Sequence, residues 1–275
     1  MDGYGKVKDL PKELNRKVDD VLIFHGNPSP DLSGKGGDGR WTALRPGHGA
    51  GYSYSSESGK MKYSNRFGVE ITFAHEIKKA YPGEKIAIIK YSRGGTSIHV
   101  DAARNFGCWD PDFKKGEGPF KNLNQYDHFL ATVKHATATQ DIDGDGEDDI
   151  LTPKGIIWMQ GESDAAINKE IALEYKANLH ELMIGIKAAF HSDDIPVVIG
   201  RISDSGSSST KKTWPFGDIV RDQMAQYVAE YQPSALVIST DNYGYSDPWH
   251  YDSAGYIDLG KQFAKKLLRL NQNNF

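Results

Sequence analysis

"VLIFHGNPSPD" (residues 21–31) begins as an apolar run, Val21 to Phe24, and ends in a knot of turn formers. The pattern recurs along the chain. "KIAIIKY" (85–91) runs into "SRGGTSI", "GIIWMQ" (155–160) into "GESDA", and "IPVVIG" (195–200) into "RISDSGSSS". "ALVIST" (235–240) is followed by "DNYGYSDPWHYDSAGY". Short apolar runs without alternation read as strands buried on both faces. Amphipathic stretches lie between them. Val69, Phe73, Ile77 and Ala80 share a helical face in 68–80, and Ile171, Tyr175, Leu179, Leu182 and Ile186 share one in 170–190. Val220, Met224, Tyr227 and Tyr231 do so in 217–231, and Phe263, Leu267 and Leu270 in 255–270. Strand then helix, with few hairpin signals, predicts one α/β domain: a parallel sheet with helices on both faces.

A single domain over 1–275 is expected, since no stretch reads as a linker and no repeat is evident. Residues 1–18 read as an N-terminal extension. Residues 31–66, rich in Gly and Ser and without a clear period, read as a long surface excursion, and such loops are often functional. The net charge of −4 gives no mark of a nucleic-acid binder. One cysteine, Cys108, excludes an intrachain disulfide. No apolar run reaches the roughly 18 residues of a membrane span. "MDGYGKVKDLPKEL" lacks the apolar core of a signal peptide. The expected location is periplasmic or secreted, as a mature form without its leader, with the cytoplasm as the alternative. A monomer or small homo-oligomer is expected.

In open α/β sheets, ligands sit beyond the carboxyl ends of the strands, so the polar turns there are the candidates for chemistry. Asp247 and His250, three apart in "DPWHYDSAGY", can pair on a tight turn. The carboxylate then bonds one imidazole nitrogen and leaves the other to act as a general base. Asp252 or Ser253 would cap the helix that follows. In "WMQGESDA" (158–165), Gly161 permits a bend, Glu162 and Asp164 set two carboxylates beside it, and Gln160 offers an amide. Acids also favour helix N-termini, which is the plainer reading. Gly94 and Gly95 in "YSRGGTSI" can expose backbone N–H groups to a developing oxyanion, or make an ordinary turn.

Together, "RGGTSI", "WMQGESDA" and "HYDSAGYIDLGKQFA" resemble the blocks of SGNH-type carbohydrate esterases. The nearest branch is the one holding sialate O-acetylesterases and a family of acetylxylan esterases. Residues 67–80 also resemble that family's first large helix. The resemblance implies a three-layer α/β/α sandwich with a mostly parallel, flavodoxin-like, five-stranded sheet. It implies hydrolysis of an ester, usually an acetyl ester on a sugar, without a catalytic metal or other catalytic cofactor. His250 would match the base and Asp247 the acid that orients it, with Glu162 as a contender for that role. Gly95 N–H and the Gln160 amide would form the oxyanion hole. A serine would attack the acyl carbon.

The chain departs from the family at its first block. Where the family reads G-Q-S-N, this sequence reads Gly26-Asn27-Pro28-Ser29. Without a gap, Pro28 stands in the nucleophile's place, and proline has neither a reactive group nor an N–H. One residue of shift brings Ser29 into the role. Ser33, or a water activated by His250 and the acids, are the other candidates. His25 and His48 would add polar groups near the cleft.

"DIDGDGEDD" (141–149) is a separate signal. Asp141, Asp143, Asp145, Glu147 and Asp149 offer the hard oxygens that calcium prefers, and Gly144 and Gly146 permit the bend. The stretch begins like an EF-hand loop, but Thr152 stands at the twelfth position, so a nine-residue loop closed by Asp149 is expected. A structural calcium ion would clamp the segment that leads into the third strand.

The expected partner is an acylated carbohydrate. Aromatic faces suit sugar rings, and Trp249, beside His250, is the candidate platform. Arg93, with Arg45, Arg66 and Arg201, could meet a carboxylate or sulfate on an acidic glycan. The alternatives are a catalytically impaired, glycan-binding protein of the same fold, or a hydrolase of another sugar ester.

Overall fold

Every apolar run forms a strand, and each amphipathic stretch forms a helix. The computed structural model describes residues 2–26, 33–203 and 212–272. A short β1 (Gly5–Lys6) precedes β2 (Val18–His25), and residues 41–67 contribute β3 (Trp41–Leu44), β4 (Ser53–Ser55), β5 (Lys60–Lys62) and β6 (Arg66–Phe67). The remaining order is α1 (Glu70–Ala80), β7 (Ile86–Lys90), α2 (Gln125–Thr137), β8 (Ile156–Trp158), α3 (Lys169–Ala189), β9 (Val197–Gly200), α4 (Gly217–Glu230), β10 (Ser234–Val237) and α5 (Ser253–Gln272).

The pairings among the expected strands are parallel. β2 pairs with β7, Val21 opposite Ile86 and His25 opposite Lys90. β9 lies between β8 and β10, with Ile199 opposite both Trp158 and Leu236. All four residues of β9 are buried, so both of its faces are covered. Helices α1 and α5 pack together, as do α3 and α4, and α5 runs along β9 and β10. Gly260 of α5 allows the first of these contacts: a Cβ there would lie 2.5 Å from the Val69 carbonyl and would also strike Thr72.

The mixed α/β class is met, and the five-stranded flavodoxin-like sheet is met only in part. Among the described residues the hydrogen bonds define two three-stranded sheets, β3-β2-β7 and β8-β9-β10. Apolar runs report that a strand is buried, not which neighbour it pairs with. β2 carries antiparallel β3 on its other flank, Phe24 opposite Trp41. Where β7 and β8 end, Trp109 links the two sheets. Its ring meets Tyr91 edge-on at 5.6 Å and Trp158 edge-on at 5.1 Å. One core serves both sheets, with Val21 and Ile23 in the same cluster as Val198, Ile199, Leu179, Leu182, Leu259 and Phe263.

Within the excursion some segments are ordered and anchored. It holds four strands, and Trp41, Leu44, His48 and Tyr52 within it are buried. The N-terminal extension is anchored to the domain: β1 pairs antiparallel with β6 and Asp2 is buried. Helix α2 has no counterpart in the sequence reading. Its N-cap, Asn124, accepts from the N–H groups of Tyr126 and Asp127, and it buries only Gln125, Phe129, Thr132, Val133 and Ala136. That stripe mixes polar with apolar residues, so it carries little periodic signal.

Candidate active site

The turn before α5 positions the histidine. Asp247 closes it locally, its Oδ1 accepting the N–H of Trp249 at 2.9 Å and of His250 at 2.8 Å. Both carboxylate oxygens then face Nδ1 of the imidazole, at 2.9 and 2.8 Å. Asp252 caps the helix that follows by accepting the Gly255 N–H at 2.8 Å. Burial pushes the Asp247 carboxyl up, but hydrogen bonds from His250 and the Trp249 N–H outweigh that and hold it below the usual carboxylate range. With Nδ1 occupied, Nε2 is the nitrogen left for proton transfer.

The block after β8 is stitched to the block after β7. Asp164, almost fully buried, accepts the backbone N–H of His99 at 2.8 Å and that of Ile98 at 3.2 Å. Gln160 donates its amide to Asp164 at 2.6 Å and to the Thr96 carbonyl at 3.0 Å. Tyr175 donates to the Gln160 backbone carbonyl at 2.8 Å. Ser163 Oγ donates to the Gly95 carbonyl at 2.9 Å. Gly161 makes the bend possible: its φ is 139°, and a Cβ would lie 2.9 Å from Met224 and 3.0 Å from Val220. Burial pushes the Asp164 carboxyl up, opposed by those hydrogen bonds.

This geometry reassigns Gln160. Both amide hydrogens already have protein acceptors, so the side chain holds the floor of the site together rather than reaching an oxyanion. Gly95, in the turn after β7, is exposed. Glu162 is partly buried. Burial pushes its carboxyl up, and a backbone hydrogen bond and the charge of nearby His250 offset this in part. Among the described residues the side-chain hydrogen bonds to the His250 imidazole come from Asp247 and not from Glu162.

Ser29 and Pro28 lie outside the described residues. Ser33 accepts the Lys35 N–H at 3.2 Å. On β2, His25 is buried, its Nδ1 3.4 Å from Nδ1 of buried His48. Tyr52 stacks on His25, with ring centroids 4.4 Å apart, and on His48 at 4.8 Å. Burial, reinforced by Lys90, holds the His48 imidazole down to about 3 and that of His25 well below its usual value, so both are neutral. Beneath them Lys90 donates to the His48 carbonyl at 2.6 Å and to Glu70 at 3.0 Å. Cys108 is buried, and that burial pushes its thiol up to about 12, which removes it as a nucleophile.

Trp249 is 57% exposed beside His250. The four arginines do not converge. Arg93 is buried and donates to the Lys35 carbonyl, Arg201 pairs with Asp241, Arg45 lies over Tyr63, and Arg66 lies over Tyr4. Tyr4 was not foreseen. Its ring stacks on His250, with centroids 3.5 Å apart, from the far end of the chain. No local spacing could have signalled it.

Asp141, Asp143 and Asp149 bring carboxylate oxygens within 4.8 Å of one another and could hold a cation. Asp141 accepts the N–H of Gly144 at 2.6 Å and of Gly146 at 2.9 Å, and Asp149 accepts that of Ile142 at 2.9 Å. Asp145 and Glu147 lie outside this trio. Lys85 pairs with Asp145 at 2.9 Å and also with Asp143.

No curated protein matches the chain. Solved structures share its fold, two of them as follows. A protein from Arabidopsis thaliana aligns at 18% identity with a TM-score of 0.61, covering 95% of this chain and 85% of that one. A carbohydrate acetylesterase from Xanthomonas citri aligns at 17% identity with a TM-score of 0.57, covering 99% of this chain and 55% of that one. The family model described as "Carbohydrate esterase, sialic acid-specific acetylesterase" matches residues 1–269, and the chain belongs to that family.

Proposed function

We propose that the protein removes an acyl group, in particular acetyl, from a carbohydrate by a serine, histidine and acid mechanism. The observation that carries this reading is the imidazole of His250, held at Nδ1 by both oxygens of Asp247 on the turn before α5. In this reading Ser29 is the nucleophile. His250 Nε2 takes the Ser29 hydroxyl proton as Oγ attacks the acyl carbon, and Asp247 stabilises the imidazolium. The Gly95 N–H faces the developing oxyanion. Collapse of the adduct expels the sugar hydroxyl, which receives the proton from His250. Water, deprotonated by the same imidazole, then releases the acid and restores Ser29. Glu162 stands by as a second acid, and exposed Trp249 offers a face to the sugar. Arg93 belongs to the same reading as a residue that shapes the substrate side from its buried position.

The reading includes a structural calcium ion on the acidic loop, held by Asp141, Asp143 and Asp149 with Asp145 and Glu147 in an outer ring. It also includes an extracytoplasmic setting and a monomer or small homo-oligomer. Pro28, in the ungapped position of the family's nucleophile, favours a second reading: a glycan-binding protein that has lost the chemistry.

Hydrolysis of p-nitrophenyl acetate, acetylated xylan and O-acetylated sialic acid separates the two. Under the esterase reading the wild type turns over at least one of these, and Ser29→Ala and His250→Ala each lose about 10⁶-fold in kcat. A wild type inert on every ester but still binding glycan establishes the second reading. Full activity in Ser29→Ala removes that residue alone from the mechanism.

A further inference from the structure

An acid that holds one edge of an imidazole does not fix the ring. The χ2 torsion of histidine is broad, so the plane can rock about the Nδ1–carboxylate contact. His250 sits on an irregular turn with 27% of its side chain exposed, where water offers no restraint. A general base needs its free nitrogen held close to the productive geometry, and a displacement of about 1 Å can cost about 10²-fold in rate.

The face of the ring is covered by Tyr4. The two planes are 14° apart and the centroids 3.5 Å, which is full stacking contact. Tyr4 is itself backed by a cation, with the Arg66 guanidinium carbon 4.4 Å from its ring centroid. It also rides on a fixed mount. The next residues, Gly5 and Lys6, pair with Phe67 and Arg66 in the β1–β6 ladder. The Gly3 carbonyl accepts the Ala50 N–H at 2.8 Å, and the Val7 N–H reaches the Asn65 carbonyl at 2.9 Å. The Lys6 N–H donates to Ser253 Oγ at 2.9 Å, and Ser253 Oγ donates to Asp9 at 2.6 Å. Ser253 opens α5, the helix that begins three residues after His250. The segment bearing Tyr4 and the turn bearing His250 are therefore fastened to the same point.

The geometry points to Tyr4 as a positioning residue for His250: its ring face, braced by Arg66, blocks the out-of-plane swing that Asp247 leaves free. The inference rests on the proposed role of His250 as base. Tyr4 touches no reacting atom and acts through the imidazole alone. The stacked ring face is the element the inference assigns.

The test compares Tyr4→Leu, Tyr4→Phe and His250→Ala on p-nitrophenyl acetate, with two-dimensional NMR of the His250 ring protons. Tyr4→Leu is expected to lower kcat about 10- to 100-fold with KM unchanged, and Tyr4→Phe to restore kcat to within about threefold of wild type. The His250 ring protons are expected upfield in the wild type, with cross-peaks to the Tyr4 ring, and to move downfield in Tyr4→Leu. Wild-type kcat in Tyr4→Leu overturns the inference. So does a rise in KM alone, or a Tyr4→Phe variant as slow as Tyr4→Leu. If Tyr4→Leu does not fold, the cross-peaks in the wild type decide, and their absence overturns it. An active His250→Ala variant would instead remove the base itself, a separate failure that leaves the ring contact measurable.

Discussion

Asp164 accepts the backbone N–H of His99 at 2.8 Å, a bond that joins the turn after β8 to the turn after β7. The same carboxylate takes Ile98 N–H and the Gln160 amide, so three residues meet at one buried acceptor. Asp164→Ala strands all three donors away from water, and an unmet buried donor costs about 1–3 kcal/mol. The expected loss is about 4 kcal/mol in urea unfolding, accompanied by loss of activity. Asp164→Asn, which keeps an acceptor, is expected to lose about half as much.

Asp247→Asn is expected to leave the fold nearly unchanged and to lower kcat about 10⁴-fold, because an amide stabilises neither the required tautomer nor the imidazolium. The pH dependence of stability has a definite sign. The folded state holds the Asp247 carboxyl below its ordinary value, so the group stabilises the fold above the unfolded value of roughly 3.9. That contribution disappears as the pH falls through the lower folded value. The urea midpoints of wild type and Asp247→Asn are expected to differ by a constant amount at neutral pH and to draw together below pH ~4.

Lys90 and Glu70 form an ion pair at 3.0 Å with side chains only 9% and 4% exposed. Removing either partner leaves a buried charge unmatched, at about 3–5 kcal/mol. Lys90→Met and Glu70→Gln are each expected to destabilise by that amount, and the double variant by well under the sum. A double-mutant cycle in urea measures the difference. Both single variants also disturb the His48 carbonyl that Lys90 holds, so the His25–His48 contact is expected to loosen with them.

Calcium is expected to raise the melting temperature of chelator-treated protein, by about 2.7 kcal/mol of stability at a hundredfold excess over Kd. Asp149→Asn should abolish the response. Lys85→Ala should strengthen it, because that cation competes for Asp143. A melting temperature indifferent to chelator and calcium alike would refute the loop as a metal site.

The legible parts of this protein were the local ones. The five strands announced themselves as apolar runs, and Asp247 and His250 as an i, i+3 pair within one turn. Gln160 was misread because an amide in a strand-end turn looks the same whether it faces a cleft or an interior carboxylate. Only the fold shows that Thr96 and Asp164 consume it. The partners of β2 were hidden for the same reason. Antiparallel β3 comes from a Gly- and Ser-rich stretch whose strand is four residues long, too short for alternation to register. Tyr4 lay furthest from reach, since its partner is joined to it by the whole intervening chain.

β3 also bears on how this chain tolerates trimming. It covers a flank of β2 that would otherwise present an open row of backbone donors and acceptors to any passing chain. β3 is itself short and bracketed by Arg40 and Arg45, which makes it a poor template for another strand. Shortening the excursion to simplify the molecule would therefore uncover an adhesive edge along Leu22–Phe24, and the shortened protein would be lost to aggregation before its chemistry was touched.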